Sequence, residues 1–202
     1  VVHLLESVGA GVLTSVLTMT DATPGLEHHL LTWPRREHTD SGEHREHFAS
    51  ITALPRHPAQ AAQALRRCVE ELRPDVLHAH SSYAGMLARS RDLGVTLVYS
   101  PHCFAFERRD LNPLVRAGLR AVERTLVRRT SVLVACSPHE ALLGRLLADE
   151  LRADLLDDVV DGGEDALAAV ARLVAVTQLD GLEGAGGGAG RHGGAAHHAG
   201  FQ

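Results

Sequence analysis

The chain has 202 residues, 45% of them apolar, enough for one domain with a sizeable core or one domain and a tail, but cramped for two. Its 20 basic and 25 acidic residues give a formal charge of -5, which argues against a general nucleic-acid binder. Three cysteines without a CxxC pair indicate neither a disulfide framework nor a zinc knuckle, and fit a reducing cytoplasm best.

Short apolar runs alternate with helical patterns up to about Leu147, the signature of a parallel sheet covered on both faces. The opening run "VVHLLESVGAGVLTSVLTM" has no basic start and is interrupted by Glu6, so it reads as a strand and not as a secretion signal. No run approaches the roughly 20 apolar residues that a membrane crossing needs. Strands are predicted at Val2 to Leu5, Leu26 to Thr32, Ser50 to Leu54, Asp75 to Ala79, Thr96 to Ser100 and Ser131 to Cys136. A helix from Pro58 to Leu72 should bury Ala61, Leu65, Cys68 and Leu72 on one face. A second, Pro113 to Arg129, should bury Val115, Leu119, Val122 and Leu126, with Arg116, Arg120, Arg124 and Arg128 on the opposite side. That arginine row is either a solvated face relieved by Glu123 or a contact for an anionic lipid surface.

Composition changes near Asp149. The predicted organisation is a domain over residues 1–147, an acidic extension over 148–183 with one short helix from Glu164 to Val176, and a disordered Gly/Ala/His tail over 184–202.

Ligands of an open parallel sheet bind beyond the carboxyl ends of its strands, and the polar residues of this chain collect there. The first strand leads into "ESVGAG", the fourth into His78, His80, Ser81 and Ser82, the fifth into "SPHCFAF" and the sixth into "CSPHE". Gly9 and Gly11 could let the backbone approach a phosphate, or could form a tight turn with no ligand. The dinucleotide fingerprint would need a third glycine where Thr14 stands, so a dinucleotide-binding Rossmann reading is weak. His78 and His80 point to one side of a strand, and with His102 they would offer three nitrogens to a metal hydrolase, although no carboxylate joins them convincingly. Cys103 and Cys136 follow strands, where a nucleophile could sit, but read as buried and inert. Trp33 and Pro34 read as closing a hydrophobic edge rather than stacking on a sugar, although an aromatic at a cleft could do the latter. Of the fourteen histidines, those in the polar stretch from His28 to His57 read mostly as exposed.

"RPDVLHAHSSYAG" (Arg73 to Gly85), "VYSPHCFAF" (Val98 to Phe106), the arginine-rich helix and "TSVLVACSPHE" (Thr130 to Glu140) together resemble the N-terminal domain of family-four, retaining GT-B glycosyltransferases. The resemblance covers about residues 1–147. It implies an α/β, Rossmann-like parallel sheet with helices on both faces, a single GT-B lobe forming the acceptor side of a cleft. By it, the substrates are a nucleotide-sugar donor and an acceptor, with no separate cofactor and no nucleic acid. His102 would sit beside the transferred sugar as the catalytic histidine, Gly9 and Gly11 near the donor phosphates and sugar, and His80, Ser81 and Ser82 in the acceptor pocket wall. Glu140 matches the family's Ser-x-x-Glu pattern, or serves as a helix cap alone. The family's second lobe, with its Arg/Lys pair and Glu-x7-Glu motif, has no counterpart after Leu147, and the chain contains no lysine. The expectation is therefore a truncated product, or a lobe acting with a separate chain, in the cytoplasm or at the inner membrane face. The rival is a non-catalytic acceptor-binding or regulatory module.

Overall fold

The computed structural model describes residues 1–6, 10–33, 44–149 and 158–161. Seven parallel strands form one sheet in the order β3-β2-β1-β4-β5-β6-β7. They are β1 (Val2–Leu5), β2 (His29–Thr32), β3 (Ser50–Ala53), β4 (Val76–His80), β5 (Thr96–Ser100), β6 (Val132–Ala135) and β7 (Asp158–Asp161). The helices are α1 (Ala10–Ala22), α2 (Pro58–Leu72), α3 (Ser82–Arg89), α4 (Pro113–Leu126) and α5 (Pro138–Asp149). From β1 the chain builds outward through β2 and β3, then returns to place β4 on the other side of β1. Adjacent crossovers diverge at that point, which opens a crevice at the carboxyl ends of β1 and β4.

Strand alternation divides the buried residues between the two faces. Leu31, Leu4, Ala79, Tyr99 and Leu133 stand in register across five strands. They form the main core with Ala61 and Leu65 of α2, Ala84 and Leu87 of α3, and Ala141 and Leu147 of α5. The opposite face carries His3 beside His78, and Leu5 beside His80. There Leu13 and Val16 of α1 pack with Leu5, Leu30 and Phe48.

β1, β5 and α2 have the bounds predicted for them, whereas the faces of the helices differ. α2 buries Ala61, Ala62, Leu65 and Val69, while Leu72 is 36% exposed and Cys68 half-buried. The second predicted helix is an α-helix only to Leu126 and ends in a 3₁₀ turn, Val127–Arg129. Asn112 caps it, its Oδ1 accepting from the Val115 N–H at 2.9 Å. Its predicted buried stripe is only half covered: Val115 and Val122 are exposed, Leu119 and Leu126 are half-buried, with Leu119 packed against the main core, and the one fully buried residue of α4 is Glu123. The cause is a polar anchor. Arg89 Nη2 donates to Glu123 Oε2 at 2.8 Å, Tyr99 donates to Glu123 Oε1 at 3.0 Å, and the Arg89 guanidinium lies 3.7 Å from the Tyr99 ring centroid. Glu123 therefore relieves no solvated arginine row; it turns the helix toward the sheet.

The row itself is divided. Arg116 Nε donates to the Phe106 carbonyl at 2.8 Å, and Arg120 lies over the Phe106 ring. α5 continues past Leu147 to Asp149, and β7 adds a parallel strand beside β6 from within the predicted acidic extension. The helix expected at Glu164 to Val176, the tail, and Pro34 lie outside the described residues. Trp33 is buried, its Nε1–H donating to the Arg56 carbonyl at 3.2 Å. Among the described residues no helix is long and apolar enough to cross a membrane.

Candidate functional site

The loops after β4, β5 and β6 meet at the sheet's carboxyl edge, and their backbone is unusual there. Ser81 (φ 74°), His102 (φ 49°) and Cys103 (φ 82°) all occupy the left-handed region without being glycine. Such residues cost on the order of 1–3 kcal/mol each and persist where surrounding contacts hold them. Here the holding contacts are visible. The Ser81 N–H donates to the Ser100 carbonyl at 2.9 Å, tying β4 to β5. Ser82 Oγ accepts from the Ala105 N–H at 3.0 Å. The Glu140 carboxylate accepts from the Cys136 N–H at 2.7 Å and from the Cys103 N–H, bridging the loops after β5 and β6.

Glu140 is thus more than a cap of its own helix. Its N–H donates to Ser137 Oγ at 3.2 Å, one half of a capping box, but the buried carboxylate reaches across to the loop that presents His102. Ser81 Oγ donates to Glu6 Oε2 at 3.4 Å, spanning the crevice between β1 and β4. On the rim, His139 Nε2 lies 3.0 Å from Glu107 Oε1.

His102 is half-buried, and it ends a chain of imidazoles that runs beneath the sheet edge. Its Nε2 lies 3.1 Å from His80 Nδ1, His80 Nε2 lies 3.2 Å from His3 Nδ1, and His3 Nε2 lies 3.0 Å from His28 Nδ1. His78 stands beside this chain, its Nε2 2.8 Å from Ser100 Oγ and its Nδ1 buried without a hydrogen-bond partner. Burial disfavours the imidazolium throughout. It holds His3 and His80 well below the usual range, brings His78 down to about 3, and lowers His28 and His102, the last against the pull of Glu140. All five rings are neutral at physiological pH.

Several sequence expectations change in this light. His28 is buried and not one of the exposed histidines. His80 and Ser82 are 0% and 4% exposed, so neither forms a wall that a ligand touches; of the three, Ser81 alone is partly open. Cys103 and Cys136 are exposed and not buried, yet partial burial and Glu140 raise both thiols, Cys136 to about 11, which leaves them protonated and poor nucleophiles. The set His78, His80 and His102 is not the one the fold gathers: His3, His78 and His80 hold ring nitrogens within 4.8 Å of one another, in the core. His3 and His80 already use nitrogens on each other there, and among the described residues no carboxylate joins this set to balance a dication. Gly11 is the second residue of α1 and is exposed, and a Cβ there would meet nothing within 4 Å. Gly9 lies outside the described residues.

A parallel sheet whose order reverses between β1 and β4, with its polar residues at the carboxyl edge, is the fold of one Rossmann-like lobe of a GT-B glycosyltransferase. The chain belongs to the glycosyl transferase 4-like domain family, whose model matches residues 10–156. HepE of Anabaena, solved in complex with UDP, superposes with a TM-score of 0.57 at 15% identity, over 80% of this chain and 44% of that one. The lipopolysaccharide outer core galactosyltransferase WaaB gives 0.54 at 12% identity, over 72% of this chain and 42% of its own. A sucrose-phosphate synthase form from Thermosynechococcus elongatus gives 0.52 at 14% identity, over 89% of this chain and 98% of that one. In sequence, the chain is also 33% identical over 152 residues to a glycerol-3-phosphate dehydrogenase (NAD(P)+) of Klebsiella pneumoniae, 75% of this chain and 36% of that protein. The chain therefore spans about a third of the curated relatives it matches and under half of HepE.

Proposed function

We propose that this domain forms the acceptor-side half of a glycosyltransferase cleft and takes part in sugar transfer from a nucleotide-sugar, with a second, nucleotide-binding lobe completing the site. The observation that carries this reading is the convergence of Ser81, His102 and the Glu140-bridged loops on the carboxyl edge of β4, β5 and β6 in a member of this family. HepE, a structural neighbour, binds UDP and UDP-glucose. In this reading His102 touches the transferred sugar or the incoming hydroxyl, Ser81 lines the acceptor side, and the α1 N-terminus with Gly9 and Gly11 faces the donor phosphates. Glu140 is a positioning residue, because it holds the His102 loop and not the ligand. The exposed Arg124 and Arg128 would lie toward an anionic surface if the acceptor is lipid-borne.

The dehydrogenase activity of the sequence relative fits less well. Thr14 stands where the dinucleotide fingerprint requires its third glycine, the one that allows close helix and strand packing. The metal-hydrolase reading loses its ligand set to the core, as described above.

Saturation-transfer NMR with UDP-glucose tests the assignment. The glucose protons should receive saturation from the chain while the uracil protons receive little, because the base belongs to the other lobe. Dominant saturation of uracil would contradict it.

A further inference from the structure

The imidazole chain that ends on His102 has a direction, and its far end sets it. Thr23 Oγ1 lies 2.6 Å from the Met19 carbonyl oxygen. A carbonyl cannot donate, so the single hydroxyl proton is committed to that bond. The same Thr23 oxygen lies 3.0 Å from His28 Nε2, and the Thr23 carbonyl lies 3.5 Å from that nitrogen. Both oxygens can only accept there, so His28 Nε2 carries the proton. A neutral imidazole has one N–H and one lone pair, which makes His28 Nδ1 the acceptor.

The rest follows link by link. His3 Nε2 donates to His28 Nδ1 at 3.0 Å, leaving His3 Nδ1 as an acceptor. His80 Nε2 donates to it at 3.2 Å, leaving His80 Nδ1 as an acceptor. His102 Nε2 donates in turn at 3.1 Å, and His102 Nδ1 keeps its lone pair. The neighbour at that end is Cys136 Sγ, 3.2 Å away, a thiol that remains protonated and can donate. The two ends agree: an acceptor pair at Thr23 and a donor at Cys136. Reversing the chain would set a lone pair of His28 against two acceptor oxygens inside the protein, and unmade buried hydrogen bonds are strongly disfavoured.

We infer that His28, His3 and His80 are positioning residues that fix His102 as its Nε2–H tautomer, so that the ring presents its Nδ1 lone pair, and no N–H, to a ligand at the sheet edge. The ligand group this fits is a hydroxyl, which donates to Nδ1 in place of the Cys136 thiol. A carbonyl or an unprotonated phosphate oxygen, having only lone pairs to offer, is rejected at this atom. That the hydroxyl belongs to a sugar or its acceptor rests on the proposed function; the tautomer does not.

Long-range proton–nitrogen correlation NMR on the full chain, labelled at histidine, reads the tautomer directly. His3, His28, His80 and His102 should all be Nε2–H near pH 7.5, with His102 favouring that form by about tenfold or more. His28→Asn places an amide oxygen where Nδ1 was and should keep the pattern at His102. His28→Leu removes the acceptor and should raise the Nδ1–H population of His102 several-fold. An Nδ1–H tautomer at His102 in the unsubstituted chain would overturn the inference, as would a folded His28→Leu protein with the pattern unmoved. If His28→Leu does not fold, the unsubstituted chain decides alone. Failure to bind nucleotide-sugar would strike the proposed function and leave this result standing.

Discussion

Arg89, Glu123 and Tyr99 under one face of the sheet are sealed from water, whereas the histidine chain under the other is buried at His28, His3 and His80 and opens at half-buried His102; the first network is an ion pair and the second is neutral. The charged network is local: Arg89 also gives Nε–H to the Gly85 carbonyl at 3.0 Å, and its own carbonyl accepts from Arg129 at 2.9 Å. It joins α3, β5 and α4 and leads nowhere. The neutral network crosses from His28, before β2, through β1 and β4 to the loop after β5, and it ends at the sheet edge. A buried ion pair locks geometry because either partner alone is intolerable there. A chain of neutral imidazoles costs less to bury and keeps a lone pair available at its open end.

Acid should separate the two networks most sharply. His3, His78 and His80 are neutral in the fold but titrate near 6.5 in the unfolded chain. Below 6.5 the unfolded state binds more protons, so stability is full above that pH and falls as pH drops toward about 3, where His78 finally charges. For three groups the loss should reach on the order of 4 kcal/mol by pH 5.5, measured by urea unfolding. A flat profile between pH 7 and 5 would mean that these rings are not held neutral.

The charged network should respond to truncation at neutral pH instead. Glu123→Ala strands the Arg89 guanidinium, and the expected loss is about 3–5 kcal/mol in the same measurement. A loss below about 1 kcal/mol would show that the pair is solvated. Gly85→Ala is a smaller disturbance of the same network. A Cβ at Gly85 runs into Tyr99 Cε2 and sits 3.0 Å from Arg89 Nη2, so about 1–3 kcal/mol should be lost, by thermal or urea unfolding. A neutral outcome would mean that the Tyr99 ring shifts freely.

Much of the sheet was legible in the sequence because its strands are short apolar runs between turn residues, as with Thr96–Ser100. α2 was legible through Pro58 at its start, but its buried face was read one position off, since Ala62 and Val69 turn inward and Leu72 does not. α4 was misread because hydrophobic periodicity cannot foresee that Glu123 is the residue drawn inside. In the site, His102 was placed from its position after a strand and from family resemblance. His3 and His28 were missed, because only the strand order that sets β1 beside β4 brings them to His80. One signal was present: His3 and His78 hold the same alternation phase in strands that flank the reversal. β7 was missed since Asp158 and Asp161 bracket a run of two valines, too short to read as a strand.

The central claim is that His102, at the carboxyl edge of this lobe, meets the transferred sugar or its acceptor. The most direct measurement is the saturation-transfer experiment with UDP-glucose, run on the unsubstituted chain and on His102→Ala at matched protein stability. Loss of most of the glucose signal in His102→Ala is expected; equal glucose saturation in both proteins would contradict the claim.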